Sequence, residues 1–346
     1  MTTSPTSTRP SAQDRLRSLY SSPGPYTSIY LAFGEFAAED PQAVFNKHRA
    51  DLASKGSSPR ALEAIEARLT LPRPDDVAGM ALHAADDGST TVDYALEGPS
   101  VPIIHVGTLP VAAPLLEWDQ WRVPHVVVSF GADTAEVVTF LPNAEPAIAP
   151  LATDPIAAAA AVRELAVDDH LRLVVVVDQG GEAKELARGL RGVVPLFTNV
   201  IEIEHAASLS LDEVVDTTVR YVSDVVARDT VRVLELFRTL TPSGHGVEGT
   251  AVVFDALAAG RVKTLLVHDD PNDPTTVGFG SPPSVCAWAE ADAPMLARRI
   301  DAAIWSAVQQ GAEIRIIPDT SSTGPKDNIG AVLRTATDER DEGPEQ

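Results

Sequence analysis

Cysteine is almost missing from these 346 residues: Cys286 stands alone and cannot close an internal disulfide, which fits a reducing cytoplasm. Lysine is scarce as well, 5 against 22 arginines, and with the abundant alanine this reads as the coding bias of a GC-rich genome. No apolar run approaches the roughly 18 residues needed to span a bilayer, so a membrane-spanning chain is not expected. The opening MTTSPTSTRPSAQDR lacks the apolar core and cleavage site of a secretion signal. Positive charge is the largest deficit. Lys plus Arg total 27 and Asp plus Glu 49, a formal charge of −22. Phosphate polymers and anionic membranes repel such a chain at long range, so composition alone argues against a nucleic-acid or membrane partner. The acidity hides no basic block: residues 1–118 carry 9 basic and 14 acidic side chains, 119–225 carry 7 and 17, and 226–346 carry 11 and 18.

What is present is ordinary globular material, 44% hydrophobic and 22% charged. At about 150 residues per domain the length suggests two or three domains. Residues 1–10, mostly Ser, Thr and Pro, read as a mobile tail. Residues 11–119 read as an N-terminal α+β domain. It has a helix from Ser11, a strand at 26–31, helices over about 41–54 and 58–69, and strands at 79–84, 91–96 and 101–106. Residues 120–225 read as a middle α/β domain. A hairpin at 125–130 and 135–141 leads to an Ala-rich helix over 155–165. The apolar strand 171–178 that follows is expected to be buried on both faces. A helix over 182–190 and a short strand at 193–194 complete it. Spacing of Leu211, Val215, Val219, Val222 and Val226 predicts a helix of nearly thirty residues, long enough to bridge domains. Residues 226–336 read as a C-terminal α/β domain with helices at 249–259 and 294–309 and strands at 262–268, 313–318 and 329–334; 337–346 is an acidic tail. The expected fold class is therefore α/β and α+β, each domain a mixed sheet with helices.

Chemistry-bearing motifs are few. Gly244-His245-Gly246-Val247-Glu248-Gly249 fits the dinucleotide fingerprint in letters, but a helix precedes it where the mechanism needs a strand, so it reads as a flexible interdomain turn. Gly180-Gly181-Glu182 reads as a strand-to-helix turn. The eight histidines never fall within five residues of one another, which excludes local zinc motifs. His268-Asp269-Asp270-Pro271-Asn272-Asp273 reads as a solvated loop, and Trp118 and Trp121 as interdomain packing. No catalytic constellation, metal site or cofactor site is expected. The densest cationic patch is Lys47-His48-Arg49, read first as a solvated helix face.

Gly246-Val247, then Asp255-Ala256-Leu257-Ala258-Ala259-Gly260-Arg261-Val262-Lys263-Thr264-Leu265-Leu266-Val267, resembles the last domain of archaeal and eukaryotic class 1 release factors and Pelota. Gly311-Ala312-Glu313-Ile314 and Ile329-Gly330-Ala331-Val332-Leu333-Arg334 resemble its end. Gly246, Gly260, Gly311 and Gly330 are the structural glycines of this match. Gly24-Pro25-Tyr26-Thr27-Ser28-Ile29-Tyr30 and Pro114-Leu115-Leu116 ahead of Pro124-His125-Val126-Val127-Val128 resemble the bacterial release-factor-like proteins that include the Balon-type ribosome hibernation factors. The resemblance implies a three-domain architecture whose partner is the ribosome, its rRNA and proteins, and admits a translational GTPase as a further partner. It makes Lys47, His48, Arg49, Asn143, Glu145, Arg261 and Lys263 the candidate ribosome-binding residues. Peptide release in that family needs a Gly-Gly-Gln loop between the middle hairpin and the first long helix. Here that interval is Leu141–Pro150 and holds none. The resemblance thus implies a cytoplasmic, non-catalytic factor that occupies the ribosomal A site under stress. Two alternatives stand beside it: an acidic protein-interaction module that kept the fold and lost the ribosome, and a divergent peptidyl-tRNA hydrolase.

Overall fold

A computed structural model describes residues 10–22, 24–33, 39–74, 77–95, 98–99, 101–131, 133–142, 144, 146–179, 183–204, 211–270, 273–280, 285–286, 295–318 and 324–335. The chain divides into two compact units. The first is built on Asp119–Arg232, and the second combines Ala12–Trp118 with Val233–Gln346. The N-terminal and C-terminal blocks of the sequence thus share one unit.

In the first unit, β5 (His125–Phe130), β6 (Ala135–Phe140), β7 (Ala147–Leu151), β8 (Leu173–Asp178) and β9 (Asn199–Ile203) form a sheet of order β7-β6-β5-β8-β9. β5, β8 and β9 pair in parallel, β6 runs antiparallel to β5, and β7 pairs antiparallel with β6 and so runs with β5. The valine run of β8 is buried on both faces because both are covered. Val174 and Val176 face α5 (Pro155–Asp168) and α6 (Ala183–Arg191); Leu173, Val175 and Val177 meet Val222, Val225 and Val226 of α7 (Leu211–Leu240). Asp154 caps α5 by accepting the Ala157 N–H at 2.8 Å, and Pro155 follows at the first helical position, where a missing N–H costs nothing. The strand expected at 193–194 does not form. The N–H groups of Val193 and Val194 both donate to the Leu190 carbonyl as α6 ends, and the strand is β9 instead.

In the second unit, the N-terminal block holds α1 (Ala12–Leu19), β1 (Tyr26–Ala32), α2 (Pro41–Ser54), α3 (Pro59–Leu69), β2 (Gly79–Ala84), β3 (Thr90–Ala95), β4 (Ile103–Gly107) and α4 (Ala113–Gln120). Its sheet is antiparallel with order β3-β2-β1-β4. Phe45, Leu52, Leu62 and Ile65 of α2 and α3 cover one face. On the other face Tyr30 and Ala81 enter a core shared with the C-terminal block.

The C-terminal block contains β10 (Gly246–Glu248), α8 (Thr250–Ala258), β11 (Val262–Val267), β12 (Thr276–Phe279), β13 (Val285–Cys286), β14 (Met295–Arg298), α9 (Arg299–Gln309), β15 (Glu313–Ile316) and β16 (Ile329–Leu333). The main sheet has order β10-β16-β11-β15, with α8 and α9 on one face and Leu234 and Phe237 of α7 on the other. Residues 246–248, expected as part of a flexible turn, form β10 and pair with β16. The helix expected from 294 starts at Arg299, because Met295–Arg298 pairs with β12 as a second, smaller sheet. Among the described residues no helix is long and apolar enough to cross a membrane.

Candidate functional site

The described candidate ribosome-binding residues lie on α2 and at the start of β11, both in the second unit. Lys47 is exposed on α2, 3.1 Å from the Glu39 carboxylate. Arg49 lies 2.5 Å from Glu66 of α3 and over the Phe45 ring. His48 is half-buried between them. Two of the three members of this cationic patch thus face a carboxylate. Arg261 and Lys263 are exposed at the start of β11, where the pairing with β16 shifts register between Val262 and Thr264. Asn143 and Glu145 lie outside the described residues, as do Gly180-Gly181-Glu182.

The structural glycines all belong to the C-terminal block. Gly260 takes φ +68 where α8 ends and the chain turns into β11, a conformation that costs other residues about 1 kcal/mol or more. A Cβ on Gly330 would stand 2.8 Å from the Pro325 Cβ and 3.0 Å from the Phe237 ring, so only glycine lets β16 run this close to α7. Gly246 opens β10 opposite Val332, and Gly311 ends the turn after α9.

Where a Gly-Gly-Gln loop would sit, the chain makes a hairpin. β7 pairs with β6 from Thr139↔Ala147 to Ala135↔Leu151, and only residues 141–146 connect the two strands. The last four residues of the interval Leu141–Pro150 belong to the edge strand β7, with Ile148 exposed. The physical cause is alternation: Val137 is buried in the core, and Ala147–Leu151 completes the ladder beside it.

Two buried polar groups escaped the sequence reading. In the first, Ser28, Tyr30 and His83 lie inside the N-terminal sheet. The Ser28 hydroxyl is 3.0 Å from His83 Nδ1 and accepts the Val111 N–H at 3.0 Å. The Tyr30 hydroxyl donates to the Val111 carbonyl at 2.6 Å and is 3.3 Å from His83 Nε2. Burial pushes the His83 imidazole down to about 4, so it is neutral at physiological pH. A Ser–His pair suggests a nucleophile and base, but Ser28 is 0% exposed and His83 1%, so no substrate reaches them. Their bonds tie β1 and β2 to the Val111 turn.

The second group lies between the two blocks of the unit. Arg298 binds the Asp269 carboxylate and stands 3.6 Å from Asp301, the acid of the first turn of α9. Arg299 reaches Asp273 at 2.6 Å and the Thr250 hydroxyl at 2.9 Å. Asp269 and Asp273 are thus each paired with an arginine, and the Asp269 side chain is only 7% exposed where a solvated loop was expected. Pro271 and Asn272 lie outside the described residues, and among the described residues no group of three His, Cys, Asp or Glu is placed to hold a metal ion. Burial pushes the Asp301 carboxyl up to about 8; Arg298 opposes this and Asp269 adds to it. Burial also raises Glu117 on α4 and lowers His105 on β4 to about 4. One signal could have exposed Asp301: Ile300 to Val308 is apolar all round except for Asp301 and Ser306, the pattern of a helix buried on every side. Trp118, expected at an interdomain contact, packs edge-on against Tyr30 at 5.5 Å within this unit.

The architecture defines a mixed α/β protein of several sheets, with its chemistry in the N-terminal and C-terminal blocks. No family model matches the sequence, and no curated protein matches it. Several solved structures are similar. The archaeal translation termination factor aRF1 shares 16% identity over 94% of this chain and 99% of its own, with a TM-score of 0.25. Archaeal Pelota in a ribosome-bound form with ABCE1 shares 13% over 94% and 95%, with a TM-score of 0.43. Dom34 of S. cerevisiae, a translation termination-like factor involved in RNA quality control pathways and interacting with Hbs1, shares 11% over 94% and 92%, with a TM-score of 0.42. Identities this low carry no residue-by-residue correspondence.

Proposed function

We propose that this chain is a ribosome-associated, release-factor-like protein that occupies the A site, blocks translation under stress and does not hydrolyse peptidyl-tRNA. One observation carries the reading. The segments whose sequence resembles the last domain of class 1 release factors and Pelota, 246–267, 311–316 and 329–334, meet in a single sheet as β10, β11, β15 and β16. Residues far apart in sequence that resemble one family and also form one packed unit are a stronger sign than any of the segments alone. The non-catalytic part of the reading draws on the β6–β7 hairpin, where a six-residue connection and no Gly-Gly-Gln stand in place of a long loop. Binding would rest on shape and a few placed cations, since a net charge of −22 gives no broad attraction to RNA. A cytoplasmic location and an accessory translational GTPase belong to the same proposal.

The pairing of Lys47 with Glu39 and Arg49 with Glu66 favours one rival, an acidic module that binds proteins and has lost the ribosome. Sedimentation of stationary-phase lysate through a sucrose gradient separates the two. Our reading expects the protein in ribosomal fractions, leaving them as salt is raised; its absence from every ribosomal fraction overturns that reading. Release of peptide from programmed ribosomes by the purified protein would overturn the non-catalytic part alone.

A further inference from the structure

We propose that Asp301 is a proton-operated latch between the N-terminal and C-terminal blocks of the second unit, holding their seam closed while its carboxyl is neutral and loosening it when the carboxyl ionises. The inference does not depend on the ribosome reading.

The seam is held by a small set of directional contacts. From α1, the Gln13 amide donates to the Ala312 carbonyl and Arg17 to the Val308 carbonyl, both at 3.3 Å, so the N-terminal helix closes the C-terminal end of α9. From the turn before α4, the Thr108 hydroxyl donates to the Leu296 carbonyl on β14. At the other end of α9 the Ala112 N–H donates to the Asp301 carboxyl. Around these bonds, Leu16, Tyr30, Leu109, Val111 and Leu115 of the N-terminal block share a core with Ile300, Ile304 and Trp305.

Charge is out of balance at the Asp301 end. One guanidinium, Arg298, faces two buried carboxyls. It is bonded to Asp269, and Asp301 takes the longer 3.6 Å approach. The side chains of Asp301, Asp269 and Arg298 are 1%, 7% and 11% exposed, so water does not screen the second acid. Asp301 Oδ1, Asp269 Oδ2 and the Tyr20 phenol oxygen are all buried without a hydrogen-bond partner in the protein. A neutral Asp301 can donate from its free oxygen. An ionised one leaves two anions against one cation in a buried site, which favours any rearrangement that admits water. The other titratable and charged groups facing the cluster are Tyr20 after α1, Tyr30 on β1, Asp93 on β3, His105 on β4, Glu117 on α4, His268 and Asp270 after β11, and Asp273 with its partner Arg299.

The sign follows from linkage. The folded carboxyl sits at about 8 against 3.8 when exposed, so the closed seam holds a proton that the open seam releases throughout that window. The closed-to-open ratio then falls as pH rises, by up to about tenfold per unit, and is flat above and below the window.

The test uses the full chain. Hydrogen exchange, corrected for the intrinsic pH dependence of the amides, is followed from pH 5.5 to 8.5 in residues 12–20 and 108–112, with β8 as an internal reference. The parent is expected to lose at least about tenfold protection in both segments relative to β8. Asp301→Asn keeps an acceptor for Ala112 and cannot ionise, and its protection should stay level across the range. Asp269→Asn frees Arg298 for Asp301 and should move the midpoint of the loss to lower pH. A parent whose protection ignores pH overturns the latch whether or not the variants fold. So does an Asp301→Asn slope equal to the parent's, or an Asp269→Asn midpoint that stays where it was.

Discussion

Valine, alanine and leucine cover both faces of the middle sheet in the first unit, and among its described residues the buried polar side chains are threonines: Thr198, Thr218 and Thr230. Each of these hydroxyls is bonded to a backbone carbonyl, Thr198 to Leu171 and the two on α7 to Val214 and Val226 one turn back. The second unit buries Ser28, His83, Asp93, Asp301 and Ser306 inside equally apolar surroundings. The two interiors therefore answer differently to solution conditions. Burial of aliphatic surface has no proton linkage, so among the described residues the proton linkage of the first unit lies with His125, whose imidazole is pushed down by burial; that unit should lose stability only as pH falls through the ordinary histidine range. The second holds an acid kept neutral and a histidine kept neutral by burial, and its stability is tied to their protons. Among the described residues, the buried charged side chains lie in the unit that the N-terminal and C-terminal blocks share.

Arg298→Ala is the most severe way to break that contrast. It removes the one cation facing Asp269 and Asp301, leaving two buried acids uncompensated, and should cost about 3–5 kcal/mol in the second unit. Leu186→Ala, from the core beneath α6, is the matched lesion in the first unit and should cost about 2–5 kcal/mol. The losses overlap in size, and the pH profile separates them. Urea unfolding at pH 5.5 and 8 should show a larger Arg298→Ala penalty at the higher pH, where both acids would rather ionise, and the same Leu186→Ala penalty at both. Equal pH dependence in the two variants would show that the contrast between the units is not electrostatic.

The first unit was the more legible of the two in the sequence, for the same physical reason. A strand such as β8 announces burial on both faces by composition, and α5 by its alanines and its Asp-Pro start. Reading failed where a backbone partner decided the outcome. Met295–Arg298 has an apolar start that continues naturally into α9, and only β12 pulls it into a strand. Residues 147–151 carry a proline and look like loop until β6 offers a ladder. At the candidate surface, Lys47 and Arg49 were visible as cations, whereas Glu39 and Glu66, eight and seventeen positions away, became their partners only through folding. Asp301 was hidden in plain composition, because an acid in a first helical turn is an ordinary capping residue on a solvated helix.

Gly330→Ala tests whether the second unit is as tightly packed where it lacks charge. The new methyl would fall 2.8 Å from Pro325 and 3.0 Å from the Phe237 ring, on the face of the C-terminal sheet that carries no buried acid among the described residues. Overpacking of this kind should cost about 1–3 kcal/mol and leave the pH profile unchanged. Thermal unfolding across the same pH range checks both parts. A pH-dependent penalty here would mean that the seam's charge balance reaches through β16 to the opposite face.

Asp154→Ala is the mildest lesion and asks whether the first unit owes anything to charge at all. Asp154 is exposed, and its carboxylate accepts the Ala157 N–H at 2.8 Å at the start of α5. Loss of that bond leaves one helix-terminal N–H to water and should cost about 1 kcal/mol. Asp154→Asn keeps the acceptor and discards the charge, so it should recover most of the loss if geometry is what matters. It recovers little if the attraction between carboxylate and helix dipole dominates, and the Asp154→Ala penalty should then shrink in high salt. Denaturant unfolding of the three proteins at low and high ionic strength decides the matter. A salt-insensitive cap beside a pH-sensitive seam would show that the start of α5 is held by geometry, where the seam is held by charge. A salt-sensitive cap would mean that the start of α5 uses charge at the surface, as the seam uses it in the interior.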